Sequence, residues 1–193
     1  MKSSTLVYGA GKRDPYFFRE DMDRTTPART EVERSLLETS AFVRDFAVDN
    51  PHVIVTKLRF CNVLGDDISS PFSRALRLPV VPEIAGFDPR LQFVHEDDIT
   101  RALVFATEHD IPGVYNVAGR GTMPWSEVCR VVGKRRVMLP PLLTNWAVEP
   151  LRIANQLTGK CLYRWYLLSE DGQPVRCSNA VSIVVDGGLT LAM

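Results

Sequence analysis

The 193-residue sequence predicts an α/β fold built on a partial parallel sheet. Three observations carry that expectation. Short β-branched and aromatic runs, "TLVY", "VIVTKLRF" and "GVYNVA", stop at glycine, asparagine or proline, as strands do. Longer stretches between them carry apolar residues at helical spacing. Strand and helix alternate along the chain, the order that right-handed parallel crossovers require.

Taken in order, Leu6-Val7-Tyr8 reads as the end of a buried strand, broken at once by Gly9 and Gly11. The charged, aromatic stretch "KRDPYFFREDMDRTTP" is a loop. A helix follows, with two candidate starts. Thr26 precedes Pro27, a residue suited to the first helical position. Thr30 with Glu33 forms a Ser/Thr-x-x-Glu capping box. Val32, Leu36, Val43 and Ala47 make its apolar stripe, widened by Leu37, Phe42 and Phe46, and Asn50-Pro51 ends it. A strand over 53–59 runs into a loop at Asn62 to Gly65, and residues 68–78 form a short helix. "LPVVPEIAGFDPRLQFVHEDD" reads as two short strands around a turn. "EDDITRALVFATEH" is a helix with acids in its first turn, where they suit the dipole. The strand "GVYNVAG" and the helix "PWSEVCRVVG" close the regular pattern. After about Ala154 periodicity fades until the final "VSIVV".

Composition sets the class. The chain has 45% hydrophobic and 24% charged residues, and its 23 basic and 23 acidic side chains cancel. That balance argues against binding nucleic acid or a membrane surface by bulk charge. Cys61, Cys129, Cys161 and Cys177 match no zinc spacing and read as free thiols of a reducing cytoplasm. His52, His95 and His109 are scattered, so no metal site is expected. No apolar run approaches the ~18 residues of a membrane span.

"SSTLVYG", "KLRFCNVLG" and "LQFVHEDDITRAL", in this order and spacing, resemble the extended short-chain dehydrogenase/reductase family. The branch is that of NAD-dependent epimerases and dehydratases acting on nucleotide sugars. "GVYNVAGRGTMPWSEV" fits that family's later strand and helix, and the resemblance covers roughly residues 2–150. It implies a partial Rossmann-like parallel sheet with a small α/β substrate subdomain over residues 1–154, and leaves 155–193 an unassigned tail. In the family, Ser-Ser-x-x-Val-Tyr-Gly closes the fifth strand of the sheet. The chain therefore resembles the carboxyl-terminal portion of a member, without the glycine-rich turn that receives the cofactor pyrophosphate. NAD or NADP serves the intact family, and this chain alone is not expected to bind either. A nucleotide sugar or another small molecule is the expected partner, and a homodimer is left open.

Site residues carry over one at a time. Ser4 falls on the catalytic serine that hydrogen-bonds the reacting oxygen of the sugar. Thr30 and Arg34 fall on the family's tyrosine and lysine, the general acid/base and its partner. Threonine has no phenol to deprotonate, so a term typically worth ~10²–10⁴ in rate is expected to be lost. Phe60 stands where an aromatic flanks the nicotinamide, and Asn62 matches an asparagine on the substrate diphosphate. Leu91 replaces an arginine that grips that diphosphate, and Arg90, one residue away, belongs to the opposite strand face. His95 matches a structural histidine before Asp97 and Asp98. The ending "IVVDGGLT" resembles the last strand of simpler members of the superfamily. Two alternatives stand beside an atypical enzyme: a non-catalytic binding or regulatory module of the same fold, and a truncated product without independent function.

Overall fold

The computed structural model describes residues 1–9, 14, 17–66, 68 and 70–140, and the backbone of strands at 179–180, 183–186 and 188–191. Tyr16, Gly11, Cys161 and Cys177 lie outside the described residues, as does most of the 155–193 tail.

Among the described residues the main sheet has five strands. β1 (Lys2–Ser4) pairs in parallel with β3 (Thr56–Phe60), and β3 with β8 (Gly113–Ala118). β12 (Ile183–Asp186) follows β8 in parallel, and β13 (Gly188–Leu191) closes the edge antiparallel. The expected parallel pairing of the first strand with the 53–59 region is thus present. Helix α1 (Glu31–Asp49) crosses between β1 and β3. Thr30 is its cap, its Oγ1 accepting the Glu33 N–H at 3.2 Å, so Thr30 rather than Thr26-Pro27 sets the start, while the Glu33 carboxylate, expected to complete a capping box, turns to the Arg29 N–H and to Arg24.

β3 shows how alternation builds two layers. Leu58 and Phe60 point into a core with Val94, Ile99, Ala102 and Val117, where helix α3 (Glu96–Glu108) covers the sheet. Lys57 and Arg59 point the other way, and Lys57 Nζ donates to the Ser40 carbonyl of α1 at 2.9 Å. On that side Val7, Tyr8 and Phe18 form a second core against Leu36 and Leu37. The rest of the α1 stripe meets little: no α1 residue is fully buried, and Phe42 is 71% exposed.

Short strand pairs build the smaller subdomain. β4 (Asn62–Leu64) pairs in parallel with β7 (Phe93–His95), and β5 (Val80–Ile84) with β10 (Arg135–Leu139). β6 (Arg90–Leu91) pairs antiparallel with β9 (Met123–Pro124). Helices α2 (Pro71–Leu76) and α4 (Trp125–Val131) pack with these around Phe72, Val81, Leu91, Trp125, Val128 and Cys129. Two-residue β2 (Phe17–Phe18) pairs with β11 (Asn179–Ala180).

Three expected elements differ. The loop expected at Asn62 to Gly65 is strand β4 over Asn62–Leu64, drawn into register with β7, and the stretch read as two short strands holds three, β5, β6 and β7. The first strand stops at Ser4, and Thr5–Tyr8 form a 3-10 turn. The Ser4 hydroxyl accepts the Leu6 N–H at 3.3 Å, which folds the chain out of the sheet while Val7 and Tyr8 stay buried. Gly9 ends the turn at φ +90°, and a Cβ there would stand 2.7 Å from an Asp14 carboxylate oxygen. Only glycine meets both demands.

Candidate functional site

Ser4 and Phe60 are register partners at the carboxyl ends of β1 and β3. Open parallel sheets bind ligands at that end of their strands. Ser4 is half-buried, and its oxygen accepts from Leu6. A hydroxyl that accepts one bond still has its own hydrogen to donate.

Thr30 opens α1, which packs on the 3-10 turn and on β1. Its hydroxyl is occupied as the helix cap. Arg34, one turn on, is exposed. Phe60 is fully buried in the core under α3. Asn62 begins β4 and donates from Nδ2 to the Gln92 carbonyl at 3.0 Å. Leu91 is fully buried in the subdomain core, whereas Arg90 is exposed and donates to Thr122 Oγ1 at 3.1 Å. The two residues do face opposite ways. His95 caps α3, its Nδ1 accepting the Asp97 N–H at 3.2 Å.

The sequence reading missed two groups that shape this region. Arg24 is one. Its guanidinium donates to the Thr26 carbonyl at 2.6 Å, the Pro27 carbonyl at 2.9 Å and the Leu6 carbonyl at 3.3 Å. It also pairs with Glu33 at 2.6 Å, both side chains being largely buried. Glu33 in turn accepts the Arg29 N–H at 2.9 Å. One arginine thus ties the turn after Ser4 to the start of α1.

The other is a polar network beneath the Ser4 turn. Arg59 Nη1 donates to the Tyr8 hydroxyl at 2.6 Å, and that hydroxyl donates to Asn116 Oδ1 at 2.8 Å. The Asn116 side chain donates to the Phe18 carbonyl, and its backbone N–H donates to Glu20 Oε1 at 2.8 Å. Tyr8 stacks on Phe18, ring centroids 4.8 Å apart. Burial raises the Tyr8 phenol pKa, although the Arg59 cation and its hydrogen bond pull the other way. Tyr8 therefore serves as a neutral donor locked in the core. Among the described residues no three His, Cys, Asp or Glu side chains gather to hold a metal ion. None of the described helices is long and apolar enough to cross a membrane.

No family model matches the chain. It is 34% identical over 158 residues to the uncharacterized protein Rv0501 of Mycobacterium tuberculosis, and equally to Mb0513 of Mycobacterium bovis. Those matches take in 82% of this chain and 42% of each relative, so the chain spans about half the length of these curated relatives. A second likeness is of a different kind: 57% identity over 42 residues to the HTH-type transcriptional regulator GbdR of Pseudomonas aeruginosa, 22% of this chain and 11% of the regulator. Among solved structures, UDP-glucuronic acid 4-epimerase from Bacillus cereus, in complex with NAD, superposes with TM-score 0.55 at 19% identity, over 72% of this chain and 48% of that one. UDP-glucose 4-epimerase of Thermus thermophilus, also with NAD, gives TM-score 0.56 at 18% identity, over 72% and 50%. The chain has the Rossmann-like α/β fold of these epimerases.

Proposed function

We propose that this chain is an NAD-dependent epimerase/dehydratase-type protein, related to nucleotide-sugar epimerases, that keeps the serine of the reaction site and has lost the proton-transfer pair. The reading covers residues 1–154 as the carboxyl-terminal portion of such a protein, working in the cytoplasm on a nucleotide sugar. One observation carries it. Ser4 and Phe60 are paired at the carboxyl end of the sheet, while the group at the acid/base position is Thr30, with its oxygen committed to the Glu33 amide.

Each residue then has a stated capacity. Ser4 can donate a hydrogen bond to a sugar oxygen. Thr30 cannot take up a proton at neutral pH, and its lone pair already holds the start of α1. Arg34 can meet a phosphate or ribose as a fixed cation. Asn62 stands on the subdomain side, with its amide spent on Gln92. The residues present do not make a dinucleotide site by themselves: Phe60 is closed inside the core, and the glycine-rich phosphate turn is not among the motifs of the sequence.

Calorimetry with NAD and NADP tests the cofactor reading. Negligible binding by the chain alone is expected, and micromolar affinity would overturn it. An epimerase assay tests the catalytic reading, with a glycine-rich nucleotide-binding half supplied in trans. Turnover should be very low. The double substitution Thr30→Tyr with Arg34→Lys should raise it by ~10²-fold or more, and either single change by much less, because the two act as a unit. High turnover by the unsubstituted chain would show that another group moves the proton.

A further inference from the structure

We infer that the chain is composite: an epimerase-like unit is followed by a separate segment of about forty residues, akin to the regulator-like sequence, which that unit does not need for its fold. Three independent observations converge. The first is arithmetic. Any stretch of 158 residues in a chain of 193 includes residues 36–158, so the mycobacterial likeness takes in most of the body. The regulator-like stretch has 42 residues at much higher identity, 57% against 34%, which marks a different history. A segment does not descend from both kinds of protein. Placed at opposite ends, the two stretches fill the chain with a short overlap.

The second observation is the texture of the sequence. Helix and strand periodicity fades after about Ala154, which leaves a tail almost as long as the regulator-like match. The superposed epimerases likewise cover 72% of the chain, close to the share taken by residues 1–140.

The third is how the tail strands meet the body. β12 touches β8 through the pairs Ile183↔Val117 and Val184↔Ala118, and β11 touches β2 through Asn179↔Phe17 and Ala180↔Phe18. The body-internal ladder of β3 on β8 runs over five residues, Thr56 to Phe60. On the outer edge of β8 the Asn116 N–H is already held by Glu20, a residue of the body. Bridging an edge amide with a side chain blunts that edge without another strand. The regulator-like stretch, about a tenth of the regulator, is also shorter than an ordinary domain. The catalytic reading stays with the body.

Proline substitution in the full chain tests this. Proline removes a backbone donor, which is costly in a strand paired on both sides, as β12 is between β8 and β13. Ala180→Pro with Val184→Pro should leave the thermal midpoint within about 3 °C of the parent, a shift on the order of 1 kcal/mol or less. Glu20→Ala, which bares the Asn116 amide, should lower the midpoint by more than that. A larger fall with the prolines would overturn the inference, because β12 would then be an integral strand of the sheet.

Discussion

Buried polar side chains set the demands at the scale of single residues. Tyr8 bridges Arg59 and Asn116, two residues that are register partners on β3 and β8. Tyr8→Phe removes one oxygen and leaves a guanidinium N–H and an amide oxygen without that partner. The expected loss is ~1–3 kcal/mol, far more than the small change in apolar volume implies. Urea unfolding of Tyr8→Phe checks this, and an unchanged midpoint would show that water replaces the phenol without penalty. Arg24 is more exacting. It joins three carbonyls and one carboxylate, and Arg24→Met would strand Glu33 as a lone, mostly buried charge. Losing one partner of such a pair costs about 3–5 kcal/mol. Arg24→Met with Glu33→Gln should recover part of that loss, and chemical unfolding of the single and double variants measures how much.

The elements show what the sequence discloses and what it hides. The start of α1 is legible because an N-cap is local: Thr30 and Glu33 lie three residues apart, and the Thr30 hydroxyl accepts the Glu33 N–H. Thr30→Ala should cost ~1 kcal/mol and Thr30→Ser little. A circular-dichroism melt that does not separate the two would deny the cap its role. The pairing of β1 with β3 is legible for a related reason, since a helix between two apolar runs dictates a parallel crossover. The turn at Thr5–Tyr8 is not legible. "TLVY" has the composition of a strand, and its burial is what a strand reading requires; the capture of the Leu6 amide by Ser4 decides otherwise. β10 is hidden by charge. Lys134, Arg135 and Arg136 lack the composition of a strand, yet Arg136 reaches the buried Glu83 at 2.8 Å and the strand pairs with β5. Arg24 is hidden most deeply, because its neutral acceptors are backbone carbonyls, which every sequence has. Of the candidate site, Ser4 and Phe60 come from two separate motifs, and their pairing in register depends on the sheet rather than on either motif, whereas the capping position of Thr30 is local and legible.

At the scale of the molecule, the three core clusters among the described residues share one property. Each contains a group whose proton is held by burial: Cys61 under α3, Cys129 in the subdomain, and Tyr8 below α1. Both thiols are free and buried. Burial pushes Cys61 up to about 12 and Cys129 up to about 11, the nearby Glu83 adding to the second. Tyr8 is raised as well, first by burial. An unfolded thiol ionises near pH ~8.5. Below that pH both states keep the proton, and the stabilising contribution of each thiol is fully present. As pH rises further, the unfolded chain ionises while the folded one does not, so each thiol withdraws ~1.4 kcal/mol per pH unit until its folded pKa is reached. Urea unfolding should therefore give equal stability at pH 7 and 8 and a loss of about 3–4 kcal/mol at pH 10 from these two thiols together. The variant with Cys61→Ala and Cys129→Ala starts from a lower stability but should decline more gently over the same range. If the two curves fall in parallel, the two thiols are not the titrating groups.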